Sequence, residues 1–369
     1  MLLDSPHWVV GDHRYTNQFQ TWLAIQNTDQ PARFNLYENE FDRYDWSKEP
    51  VETWDQLLHA RCLQLRQKYR NLKLLYSGGR DSHCILRAFV KHNIPIDELL
   101  IVDYNLNPVR NNEYKIWIEP MAKRYLQHNP QAKLTTVTVG LNEYKQWYAE
   151  DWSEKSNMNM VRGFFQPSDY SWMIQQQCKI TDSNTGIICG LEKPYLKLKE
   201  NKLYSTVEDA PFLHYFNNLN VVEFFYITPD LPELHIKQCH MLVNYLEEHY
   251  PGADYDFLKE FHWNVRSKYY DEFCISVGRG PAVDVTSPSQ NGRGKYQGDH
   301  PAFQVLGKII RKELPVVWNQ YQENINWFAD RSPTAFYQGG GQTGTKINHG
   351  IIPIEGKHYF VRDWSVAKH

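Results

Sequence analysis

Apolar positions follow two rhythms along this chain. Short unbroken runs recur at Leu72–Tyr76, Leu99–Val102 and Thr185–Cys189, with a β-rich run at Leu134–Val139. Between them, apolar residues return every three or four positions. Unbroken runs of that length predict strands buried on both faces, and the three-to-four spacing predicts amphipathic helices. Trp54, Leu57, Leu58, Cys62, Leu65 and Tyr69 mark a helix over 50–70, with Pro50 and Glu52 near its start. Cys84–Val90 predicts a second helix, ending before Asn93 and Pro95. Ile116, Ile118, Met121, Ala122 and Tyr125 predict a third over Glu113–Gln127. The resulting β-α-β-α-β order argues for a parallel sheet covered on both faces.

The flanks read differently. Trp8–Val10, Phe19–Gln26 and Ala32–Tyr37 predict short strands separated by turn residues. Residues 141–180 are aromatic and irregular, helical in part. Val221–Thr228 predicts a further strand. Asp230, Pro232 and Glu233 form a helix start, with the helix running to about Tyr250. Helices are also expected over Asp256–Phe273 and Ala302–Leu314, with a loop over Gly278–His300 and a mostly irregular tail from about Arg331. The expected fold is α/β, a doubly wound parallel sheet with a β-rich N-terminal extension and a helical and irregular C-terminal region. The expected units are 1–50, 51–230 and 231–369.

Composition narrows the class. The 369 residues are 41% hydrophobic and 22% charged, so a sizeable core is possible. A net charge of −3 gives no support for a nucleic-acid partner. Six cysteines are scattered with no C-x-x-C pair, which argues for free thiols in a reducing compartment. No basic-then-apolar leader opens the sequence, and no apolar run nears the roughly 20 residues that span a bilayer. The expectation is a cytoplasmic protein with no membrane partner. Tyr, Phe and Trp number 24, 17 and 12, serving either as core or as stacking surfaces.

The chemistry concentrates where the first run ends, at Tyr76-Ser77-Gly78-Gly79-Arg80-Asp81-Ser82. Two glycines permit a sharp turn and close backbone approach to an anion. A helix beginning there adds unpaired N–H groups and the positive end of its dipole. No Lys-Ser/Thr follows the glycines, so the turn is not a Walker A loop. Asp103, at the end of the second run, falls on the same sheet edge, where open α/β sheets bind ligands. Glu192 and Lys193 follow a further run at that edge.

Ser-Gly-Gly-x-Asp-Ser between a strand and a helix resembles the PP-loop of the N-type ATP pyrophosphatase superfamily. That resemblance implies ATP and Mg²⁺ as cofactors. It implies attack of a substrate oxygen on the α-phosphorus, loss of pyrophosphate, and displacement of AMP by an amine or ammonia. By matching positions, Ser77, Gly78, Gly79 and Ser82 would hold pyrophosphate beside Tyr76, and Asp81 would be the catalytic carboxylate that coordinates Mg²⁺. Arg80 fills the variable position and meets either phosphate or solvent. Val102-Asp103-Tyr104, Arg110 and Glu113 are similar in part to 7-cyano-7-deazaguanine synthases, but Asn105-Leu106-Asn107 stands where those enzymes carry Gly-Gln-Arg. In that reading Asp103 binds the ATP ribose or a nucleobase-like substrate; otherwise it is a cap or loop carboxylate.

Lys193 meets the α-phosphate or is a solvated turn lysine. Arg279, in the 278–300 loop with Arg293 and Lys295, belongs to a basic lid or is plain solvated charge. Cys189 is a sulfur-transfer thiol or a buried structural one, and His83 an acid–base group or a packing residue. The chain departs from the named subfamilies. It lacks the zinc cysteines of the deazaguanine synthases. Leu2 stands where glutamine-dependent asparagine synthetases carry a cysteine, and their Ser-Gly-x-Gly-x-Asp-Glu segment is missing. The Glu-Cys-Gly-Leu-His tail of phosphoadenylylsulfate reductases is absent too. Two other readings stay open: sulfur-transfer or reductase chemistry, and a non-catalytic nucleotide-binding module.

Overall fold

The structure is a computed structural model. It describes residues 6–15, 21, 24, 28, 30, 32–106, 108–148, 176–177, 180–190, 194–206, 222–254, 308–309, 311–316, 318–319 and 356–365. Its centre is a five-stranded, all-parallel sheet built from β4 (Asn71–Leu75), β5 (Glu98–Asp103), β6 (Lys133–Thr138), β7 (Thr185–Cys189) and β10 (Val222–Phe224). The order across the sheet is β10-β7-β4-β5-β6. The unbroken apolar runs form its middle strands: Leu72, Leu74, Leu99, Leu100, Ile101, Ile187 and Ile188 are all buried. Each such side chain contributes about 1.5–3 kcal/mol by leaving water. β6 lies at an edge, and each of its residues is half-buried or exposed.

Two antiparallel sheets flank this one. The first joins β1 (His7–Val10), β2 (His13–Tyr15) and β3 (Ala32–Asn35) in the order β2-β1-β3. The second joins β8 (Tyr195–Lys199), β9 (Lys202–Thr206) and β11 (Tyr359–Asp363) in the order β11-β9-β8. Of Phe19–Gln26, expected as a strand, the described residues Thr21 and Ala24 are helical, and the Thr28 hydroxyl donates to the Ala24 carbonyl at 3.1 Å. A short run of β-type residues does not separate strand from helix when i, i+3 spacing is also present. In the tail, Tyr359–Asp363 is a strand and not irregular chain.

Helix α1 spans Glu38–Phe41, and α2 spans Trp54–Lys68. α2 starts at Trp54, four residues after Pro50 and two after Glu52. Thr53 and Gln56 form a capping box there, with the Thr53 N–H donating to Gln56 Oε1 at 2.8 Å. α3 spans Arg80–Lys91. The stretch expected as one helix over Glu113–Gln127 is composite. α4 (Pro108–Glu113) runs into a π-turn at Tyr114–Ile118 and then α5 (Glu119–His128). A π-turn adds a residue to the turn and rotates the face it presents. Ile116, expected on the apolar face, is therefore 67% exposed, while Ile118 is buried. α6 covers Leu141–Tyr148 and α7 covers Pro232–His249. Pro232 occupies the first turn of α7, but Leu231 and not Asp230 is the N-cap, and no side chain caps it.

Polar groups tie these layers together. Arg61 in α2 is almost wholly buried, and its guanidinium donates to Glu223 Oε2 at 2.9 Å and to the Phe224 carbonyl at 2.8 Å. Lys68 and the Tyr69 hydroxyl reach the same carboxylate, at 2.6 and 2.7 Å. Burial pushes the Glu223 carboxyl up, and Arg61 and Lys68 outweigh it, leaving the group below its ordinary range. No described helix is long and apolar enough to cross a membrane.

Candidate functional site

β4 sits in the middle of the sheet, with β5 and β6 to one side and β7 and β10 to the other. The chain leaves the carboxyl end of β4 for β5 and later returns on the opposite flank as β7. That reversal opens a crevice beyond the strand ends, the place where open parallel sheets of Rossmann-like type take ligands. The Ser77–Ser82 turn occupies it.

The turn is built from within. Tyr76 N–H donates to the Leu100 carbonyl at 2.9 Å, the last rung of β4 against β5. Gly78 then takes φ +68°, a conformation that side chains rarely adopt. Gly79, extended, is the N-cap of α3, and His83 N–H donates to its carbonyl at 2.9 Å as the first bond of the helix. The N–H groups of the first turn precede that ladder. The buried Ser82 hydroxyl closes the turn. It accepts from Ser77 N–H at 3.2 Å, donates to Gly79 O at 3.1 Å, and lies 3.2 Å from the Ser77 hydroxyl. The resemblance assigns that hydroxyl to phosphate; here it serves the turn, while the Ser77 hydroxyl stands at an exposed residue.

Neighbouring elements grip the turn from both flanks. On the β5 side, the Trp117 indole N–H donates to the Gly78 carbonyl at 3.1 Å. A Cβ at Gly78 would lie 2.8 Å from Ile118 Cγ1, so glycine is required by space as well as by φ. On the other side, Gly190 follows β7, and a Cβ there would lie 3.3 Å from Asp81 Cβ and 3.4 Å from Ser82 N. Tyr226, just past β10, donates its hydroxyl to the Asp81 carbonyl at 2.8 Å. Asp81 thus stands half-buried in the first turn of α3, where the helix dipole favours a carboxylate and the phosphates it would accompany.

The remaining predicted residues are placed as follows. Asp103 ends β5, half-buried, and its Oδ1 accepts from Asn111 Nδ2 at 2.7 Å. The Tyr76 hydroxyl and His83 Nδ1 are 3.0 Å apart in a buried pair behind the turn. Burial, with Arg87 adding to it, pulls the His83 imidazole down to about 4, and burial raises the Tyr76 phenol. His83 is therefore neutral at pH 7, packed against the Tyr76 phenol behind the turn. Cys189 is a fully buried thiol in β7 outside any disulfide, an environment that suits a structural cysteine better than a reactive one. Arg80 is placed by its main chain alone, at the start of α3. Glu192, Lys193 and Arg279 lie outside the described residues.

Sequence reasoning missed Trp117, Ile118, Asn111, Gly190 and Tyr226 as parts of this site. Tyr226 carried a usable signal, since it lies near the end of the expected strand Val221–Thr228 and parallel strands end on the binding edge. Trp117 carried none, because helical periodicity puts Ile116 and not Trp117 inward.

Among the described residues, no three His, Cys, Asp or Glu side chains gather to hold a metal ion. Mg²⁺ does not need such a cage; it binds one or two carboxylates together with substrate phosphates. The donor set here, Asp81 beside a glycine turn and a helix N-terminus, fits Mg²⁺ arriving with a polyphosphate. Compared with known proteins, the chain matches no family model and no curated relative.

Proposed function

We propose that this chain is a Mg²⁺- and ATP-dependent, AMP- and pyrophosphate-forming enzyme of the PP-loop type. The finer fold reading, a doubly wound PP-loop domain within residues 51–230, belongs to the same proposal. One observation carries it: Ser77–Ser82 forms a positive-φ glycine turn into α3 at the carboxyl end of the central strand, with Asp81 in the first helical turn. Backbone N–H groups of the turn and of α3 would hold the β- and γ-phosphates. Asp81 would hold Mg²⁺, which when bound neutralises the triphosphate and stabilises charge on departing pyrophosphate. Asp103, already oriented by Asn111, offers its second oxygen to a ribose or acceptor hydroxyl. Attack by a carboxylate or carbonyl oxygen on the α-phosphorus would then release pyrophosphate, and an amine or ammonia would displace AMP.

The test is the position of cleavage. With Mg²⁺, ATP and a panel of small carboxylates and nucleobase-like carbonyl compounds, AMP and pyrophosphate are the expected products. ADP and orthophosphate would overturn the reading. Asp81→Ala should abolish turnover while leaving the fold intact and the thermal midpoint only slightly lowered, because the residue stands in the first turn of α3 and not in the core. The buried position of Cys189 weighs against a sulfur-transfer role, and Cys189→Ser is expected to keep full activity.

A further inference from the structure

We propose that Trp117 and Tyr226 are positioning residues that hold the anion-binding amides of the Ser77–Ser82 turn in their working direction; this rests on the functional reading above. A trans peptide unit points its C=O and its N–H to opposite sides. Whatever fixes the carbonyl therefore fixes the amide of the next residue. The Trp117 indole holds the Gly78 carbonyl at 3.1 Å, which sets the Gly79 N–H; that amide donates to the exposed Ser77 hydroxyl at 3.3 Å, a long bond that a phosphate oxygen would replace. The Tyr226 hydroxyl gives the Asp81 carbonyl, already aligned by the α3 ladder, a second donor at 2.8 Å and so anchors the helix start that presents the Ser82 N–H. Left free, the Gly78 carbonyl could turn towards the phosphates and repel them, and an unanchored first turn of α3 could swing its N–H groups away.

Both donors come from outside the loop, from opposite flanks of the sheet, and both are themselves held. Trp117 sits in the π-turn after β5, and the register shift of that turn points it and Ile118 at Gly78. Tyr226 is fully buried, its ring parallel to Trp54 at 6.3 Å and edge-on to Phe225 at 5.2 Å. Donors fixed before the ligand arrives cost no reorganisation on binding. A π-turn in a segment that would otherwise form one continuous helix then has a purpose: it supplies the indole.

The probe is inorganic pyrophosphate with Mg²⁺, titrated by calorimetry against the full chain. Tyr226→Phe removes one donor and keeps the ring; Trp117→Phe removes the other and puts a smaller phenyl ring in place of the indole. Trp364→Phe is the matched control, since the Trp364 indole donates to the Ala253 carbonyl at 2.9 Å, away from the turn. Trp117→Phe and Tyr226→Phe are expected to weaken pyrophosphate binding roughly tenfold at unchanged stoichiometry, as the loss of one such bond implies. Trp364→Phe should bind like the wild type. Equal affinity in all four proteins, or reduced stoichiometry at unchanged affinity, would overturn the positioning role and leave the proposed function standing. A wild-type chain that binds no pyrophosphate would remove the proposed function itself, and this inference with it.

Discussion

At the scale of single residues, two glycines do different work. Gly78 combines φ +68° with a hypothetical Cβ 2.8 Å from Ile118 Cγ1. Gly78→Ala should cost about 1–3 kcal/mol through strain, read as a lowered denaturation midpoint, and should also weaken pyrophosphate binding. Gly186 is needed for packing: a Cβ there would lie 2.5 Å from Tyr69 Cδ2, beneath the ring whose hydroxyl holds Glu223. The turn itself was legible in the sequence because Ser-Gly-Gly-x-Asp-Ser is local. Its supports were not, because Trp117 and Tyr226 lie far from it along the chain and become neighbours only through the order of the strands.

At the scale of elements, the parallel strands were readable because burial on both faces leaves unbroken apolar runs. Leu99–Ile101 and Ile187–Cys189 are such runs, and each is buried throughout. The β8–β9 hairpin was hidden. Its tip, Glu200-Asn201, has positive φ at both residues without the glycine that usually announces such a turn. β11 was hidden as well, since its partner β9 lies far back along the chain. α2 and β10 depend on one another through Glu223. Glu223→Ala would leave Arg61 buried without its carboxylate and should cost about 3–5 kcal/mol, measurable by urea unfolding. A loss below about 1 kcal/mol would show that the network matters little.

At the scale of the molecule, buried histidines make stability depend on pH. His83 is pulled down to about 4, and His235 in α7, fully buried against Trp46, to about 3, in both cases chiefly by burial. Unfolded histidine titrates near 6.5. As pH falls below that value, the unfolded chain takes up protons that the folded chain refuses, so stability declines. The slope is up to about 1.4 kcal/mol per pH unit for each histidine. The thermal midpoint should therefore be flat above pH 7 and drop between pH 6.5 and 5, before most carboxylates titrate. A midpoint constant across that window would contradict the burial of these rings. The same packing joins distant parts of the chain: His240 meets the Trp46 carbonyl at 2.9 Å, and Lys357 pairs with Asp42 at 2.7 Å. Residues 42–46, α7 and the β11 region thus brace one another.

The central claim is cleavage of ATP between its α- and β-phosphates at the Ser77–Ser82 turn. The most direct measurement follows the phosphorus products by ³¹P NMR as the chain, Mg²⁺ and ATP meet the acceptor panel, beside an Asp81→Ala control. AMP and pyrophosphate from the wild type, with neither from the control, is the predicted result. ADP and orthophosphate, or equal turnover in the control, would contradict it.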